Sequence, residues 1–173
     1  MPTPAYISIH GKTQGHITKG AFTADSVGNV YVEGHEDEIL AQEIDHQIAA
    51  PTDPQSGQPS GQRMHKPLTF TSALNKASPL LYQALATGEM LPTVEVKWFR
   101  TCSEGKQQHF FTTKLEDATV VEIHTVLPHA QDADNENYTQ LIKTSLSYRK
   151  VSWSHVVAGT EASDDWRKPA AAG

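Results

Sequence analysis

The chain has 173 residues, a mass of 19.0 kDa and one cysteine, so it fits a single domain that buries roughly 70% of its unfolded surface without a disulfide framework. Fourteen Lys and Arg against twenty Asp and Glu give a net charge of −6, which argues against a nucleic-acid partner, because nonspecific affinity for phosphates needs the opposite sign. No apolar run approaches the ~20 residues of a membrane helix, and Met1-Pro2-Thr3-Pro4 lacks the basic and apolar regions of a signal peptide, so neither stable membrane insertion nor a cleaved leader is expected.

In chain order, a strand is expected at Ala5 to His10, followed by a glycine-punctuated irregular stretch over 11 to 29 and a short strand at Val30 to Glu33. From Glu38 to Ile48 the pattern alternates, with Leu40, Ile44 and Ile48 on one face and Glu43, Asp45 and Gln47 on the other, predicting one half-buried strand. Residues 51 to 67 are rich in Pro and Gly and predict a long irregular loop, a kind of segment that is commonly functional. A strand at Leu68 to Thr71 precedes the single helix. There Ser78 is placed as the cap, Pro79 suits the first turn, and Leu81, Ala84 and Leu85 form a stripe up to Gly88. Val94, Val96 and Trp98 alternate with Glu95 and Lys97, and the pattern repeats over Gln108 to Leu115 and Thr119 to Leu127, with turns at Gly105 and Asp117. A last strand-like run spans Tyr138 to Val157. The fold class is therefore mainly β, an antiparallel barrel or sandwich with one short flanking helix and long loops; residues 1 to 158 form the domain and 159 to 173 a frayed polar tail.

Candidate chemistry is sparse. Glu33-Gly34-His35-Glu36-Asp37-Glu38 offers metal-ligand types, but its spacing matches no defined site and a solvated turn is expected. His46 falls on the apolar face of its strand and is expected to be hydrogen-bonded in the interior or at an interface. Gly57-Gln58-Pro59-Ser60-Gly61 has the wrong order for a nucleophile elbow, and nothing near Cys102 activates a thiolate. Neither a phosphate-cradling nor a dinucleotide glycine motif occurs, and the Asn137-Tyr138-Thr139 sequon is taken as accidental. No cofactor, metal or catalytic residue is assigned. Trp98, Phe99, Phe110 and Phe111 are expected chiefly as cross-strand core pairs. Their presence on both faces of neighbouring strands also calls for cover on both sides, which a second subunit can supply.

Taken in order, Ala5-Tyr6-Ile7-Ser8-Ile9 with Gly11 and Gly15, the Ile39 to Ile48 segment, His65-Lys66-Pro67-Leu68-Thr69-Phe70, Ser78-Pro79-Leu80-Leu81, Val94 to Arg100, Tyr148 to Trp153 and Asp164-Asp165-Trp166 resemble the Hcp family. These are the haemolysin-coregulated proteins of the type VI secretion tail tube. Ser72 and Asn75 depart from the Lys and Asp often found there. The resemblance implies a barrel-like subunit of a homo-hexameric ring with an open lumen. Rings stack into a tube that partners other tail components and effectors, and the protein passes from the bacterial cytoplasm to the outside. It also implies that the loop tip, Gln55, Ser56, Gly57, Gln58, Pro59, Ser60 and Gly61, reaches a neighbouring copy, with Trp98, Phe99 and Phe110 as a second place to look for contacts. The competing readings are a monomeric barrel that holds a small apolar ligand and a hydrolase or metalloenzyme built on the histidine-rich loops.

Overall fold

The computed structural model describes residues 3–28, 33–136 and 139–166. The expected strand at Val30 to Glu33 falls mostly outside them, as do Asn137 and Tyr138 of the sequon. Twelve strands are described: β1 (Ala5–Gly11), β2 (Gly15–His16), β3 (Ile39–Ala41), β4 (Glu43–Asp45), β5 (Ile48–Ala49), β6 (Met64–His65), β7 (Leu68–Ala73), β8 (Met90–Thr101), β9 (Gln107–Val126), β10 (Leu141–Ser147), β11 (Lys150–His155) and β12 (Thr160–Asp165). Two α-helices join them, α1 (Ala24–Val27) and α2 (Ser78–Thr87). The main sheet runs β2-β1-β8-β9-β10-β7-β4 with every pairing antiparallel, and the β11–β12 hairpin branches from β9.

β9 is the spine. β8 lies along one edge, from Thr101↔Gln107 to Met90↔Thr119. The other edge is divided between β11, which pairs with residues 111 to 116, and β10, which pairs with residues 119 to 126. The expected turn at Asp117 is absent: the chain runs on as one strand of 20 residues, and Asp117 is a bend with φ 51°. That bend shifts the phase of the pleat. Thr113 and Leu115 point inward before it, Ala118 and Val120 after it. Across the ladder, Pro92 has no N–H to donate, and β8 shifts phase at the same level, so Val96↔Thr113, Val94↔Leu115 and Leu91↔Ala118 all remain core pairs.

The segment expected as one strand over Glu38 to Ile48 divides for a topological reason. β3 pairs with β1 through Ile7↔Ile39, β4 pairs with β7 through Ile44↔Phe70, and Gln42 N–H donates to the Thr71 carbonyl at 2.7 Å. These few residues link β1 on one side of the sheet to β7 on the other and close the barrel, so the chain must turn a corner between them. Ile39 and Ala41 are the buried residues, while Ile48 is 37% exposed. Inside the barrel, Ile7, Ile9, Leu68, Phe70, Leu91, Val94, Val96, Leu115 and Leu146 are fully buried.

α2 buries Ser78, Leu81 and Ala84 and packs against β9. Its N-cap position is Ala77; the Ser78 hydroxyl instead accepts from Asn75 N–H, and the Asn75 side-chain oxygen accepts from Ala77 N–H. Gly88 ends the helix in the left-handed region at φ 68°. Two further expectations are corrected at the C-terminal end. The run from Tyr138 to Val157 breaks at Tyr148-Arg149 into β10 and β11, and residues 160 to 165 are not frayed but form β12, paired along the whole length of β11. The boundary expected at 158 thus lies within a hairpin turn. Because Leu115 sits where β8, β9 and β11 meet, Leu115→Ala should cost about 2–5 kcal/mol in urea or thermal unfolding.

Candidate assembly surface

The stretch expected as an irregular loop is an ordered arm. β5 and β6 pair through Ile48↔His65 and Ala49↔Met64 at its root, and a Thr52↔Pro59 bridge continues the two limbs outward. Asp53 organises the tip. Its carboxylate accepts from Gln55 N–H at 2.9 Å and Ser56 O–H at 3.1 Å, its carbonyl accepts from Gly57 N–H, and its own N–H donates to the Gln58 carbonyl. Gly57 supplies the positive φ of 73° that the reversal requires. Ser60 N–H returns to the Pro51 carbonyl, and Gln55, Ser56, Gly57, Gln58, Pro59, Ser60 and Gly61 are all exposed.

The aromatics fall into separate clusters. Trp98 packs on the core and donates from its indole to Thr113 Oγ1 at 3.1 Å. A register shift between Trp98 and Phe99 sends Phe99 elsewhere, edge-on to Tyr6 and His35. Phe110 lies under the Arg100 guanidinium at 4.9 Å and beside His155. Within the acidic patch, His35 stacks on Tyr6 at 3.8 Å and bonds Glu38 at 3.1 Å, while Glu36 accepts from Gly34 N–H. Burial, with the Glu38 charge, raises the Tyr6 phenol. A separate apolar groove of about 240 Å³ is lined by Ala21, Phe22, Val27, Ile39, Leu40 and Ala73 among others.

Sequence reasoning did not foresee what holds the arm. Immediately before β6, Arg63 Nε and an η-nitrogen grip Asp164 of β12 at 2.6 and 2.8 Å, a bidentate pair, and Arg63 also donates to the Asp165 carbonyl. His65, its side chain 1% exposed, touches Asp164 through Nε2 and the Tyr148 hydroxyl through Nδ1, both at 2.7 Å. The same hydroxyl meets His46 Nε2 at 2.7 Å, and Trp166 stacks on His65 while its indole N–H donates to the Tyr148 carbonyl. With both rings neutral, the three contacts are met by a single direction of donation. His46 Nε2–H donates to Tyr148, Tyr148 O–H donates to His65 Nδ1, and His65 Nε2–H donates to the carboxylate. His46 and His65 flank the arm, and Tyr148 and Asp164 belong to the barrel, so this relay fixes the arm's root.

The electrostatics follow the geometry. The Arg63 hydrogen bonds, and then the one from His65, hold the Asp164 carboxyl below the usual carboxylate range. Burial, and then the nearby His65, lowers His46, and burial raises the Tyr148 phenol. Both His46 and Asp164 bind protons less readily folded than unfolded, so their stabilisation is complete above the ordinary histidine range near pH ~6.5 and declines as pH falls. The decline begins with His46 and continues below about pH 4 with Asp164. Hydrogen exchange at Ile48, Ala49, Met64 and His65 should therefore accelerate relative to β8 on acidification, and Asp164→Asn should produce the same loosening at neutral pH.

The family described as "Type VI secretion system effector, Hcp" matches residues 6–155. A "Major exported protein" of Pseudomonas aeruginosa is 53% identical over 171 residues, covering 99% of each chain. Among solved structures, one described as "Crystal structure of Hcp protein" superposes with a TM-score of 0.92 at 59% identity, covering 96% of this chain and 99% of that one. "Secreted protein Hcp3 from Pseudomonas aeruginosa" follows at 0.79 and 46%, covering 94% and 99%. With a barrel of this topology and a match spanning most of its length, the chain belongs to the Hcp family of type VI secretion proteins.

Proposed function

We propose that the chain is a wall subunit of the type VI tail tube: copies close into a hexameric ring, rings stack, and the tube is exported with effectors in its lumen. The observation that carries the reading is the arm. A polar projection whose tip is fixed by its own hydrogen bonds and whose root is clamped to the barrel has given up the conformational freedom of a surface loop. Such preorganisation lowers the ordering cost of contact with another copy. A ring needs a heterologous interface, in which one patch meets a different patch on the next copy. The root of the arm, where Ile48 and Met64 are exposed, supplies one patch, the apolar groove beside Phe22 and Ile39 suits the other, and the tip is left to meet the next ring.

The role is structural rather than catalytic, because the titratable groups that converge at Tyr148 satisfy one another and hold the arm. The small-ligand alternative is disfavoured by a barrel interior filled with fully buried aliphatic and aromatic side chains. Size-exclusion chromatography with light scattering should return the mass of a hexamer; a monomer at micromolar concentration would remove the proposal. Deletion of residues 55 to 61 should leave the melting temperature and the ring intact while reducing stacking and export. Long tubes and normal export from that variant would mean the tip has no part in assembly.

A further inference from the structure

At the edge of the sheet, away from the arm, two histidines are paired in a way that neither the barrel nor the relay uses. His10 of β1 and His16 of β2 are register partners. The adjacent Ile9 and Ile17 are joined by a backbone hydrogen bond of 3.0 Å, so His10 and His16 occupy the intervening pair, the kind in which Cα atoms approach to about 4.5 Å and side chains lie closest. Their rings stack with centroids 4.3 Å apart and planes 20° from parallel. His16 Nε2 is buried and makes no hydrogen bond. A buried ring nitrogen without a partner requires a reason, and the neighbouring imidazole offers no complementary donor in this stack. Below the pair, Gly11↔Gly15 closes the hairpin, with Gly15 at φ 75°, so both histidines stand on a fixed turn.

We propose that His10 and His16 form a two-imidazole site for a divalent transition metal of the Cu2+, Ni2+ or Zn2+ class. His10 is exposed, and rotation about its side-chain torsions converts the stack into a chelate without moving the backbone. Imidazole nitrogen selects these borderline ions over Ca2+ and Mg2+, which take oxygen ligands. Glu95 adds negative charge: the register Ser8↔Glu95 sets it on the same face as His10, and its charge acts on that ring. Among the described residues no group of three or more His, Cys, Asp or Glu forms a metal cage, so water completes the coordination sphere and the ion is exchangeable. Both imidazoles come from one chain.

Calorimetric titration of the full chain with Cu2+, alongside electron paramagnetic resonance, tests the assignment. The expected result is one strongly bound Cu2+ per chain, nitrogen hyperfine structure from two imidazoles, and affinity at least about tenfold weaker in His10→Gln and in His16→Gln. His129→Gln, which alters an exposed loop histidine, should leave binding unchanged. If His16→Gln melts early, the exposed His10→Gln decides alone. Absence of binding in the unmodified chain, or equal affinity and spectrum in His10→Gln, would overturn the proposal.

Discussion

The ladder on both edges of β9 is the constraint on which the rest of the molecule depends. This strand of 20 residues receives β8 on one side and both β11 and β10 on the other, so the barrel wall, the C-terminal hairpin and the helix α2 all take their positions from it. Its faces stay consistent only because Asp117 resets the pleat opposite Pro92. A regular strand through that point would turn Ala118 and Val120 away from the core that Thr113 and Leu115 begin. Arg149 secures the bend, contacting Asp117 at 3.1 Å and Asp165 at 3.2 Å, and so ties it to β12.

From that hairpin follows the arm. β12 exists because β11 pairs with β9, and Asp164 on β12 is the anion that receives Arg63 and His65. A polar arm extending from a barrel gains little from apolar burial, so its order rests on local turn chemistry at Asp53 and on charge-assisted hydrogen bonds at its root. Tyr148 couples the two histidines, since its one hydroxyl must donate to one ring and accept from the other. Loss of the carboxylate therefore disturbs the whole relay, including His46.

Legibility in the sequence followed the range of the interactions. β1, β8 and α2 were plain because their apolar periodicity or their Ser-Pro and Gly boundaries are local signals. The division of residues 39 to 45 was hidden, because alternation is the same whether a segment pairs with one neighbour or crosses between two. Asp117 looked like a turn because the apolar phase changes there, and a positive-φ bend within a continuous strand changes phase just as a turn does. β12, Thr-Glu-Ala-Ser-Asp-Asp, carries no strand composition and is held by pairing alone. The arm's tip was visible in its Pro and Gly content. Its anchor was not, since Arg63 and Asp164 are 101 positions apart and no motif spacing joins them.

The chain is a member of the Hcp family with a barrel built around one shared strand, and the function proposed above has this subunit present its preorganised arm to its neighbours. Cryo-electron microscopy of the purified protein tests that picture most directly. It should show rings of sixfold symmetry in which the arm, rooted on its own barrel at residues 63 to 65, extends to lie against an adjoining subunit. Particles of single subunits, or rings whose arms contact only their own barrels, would contradict it.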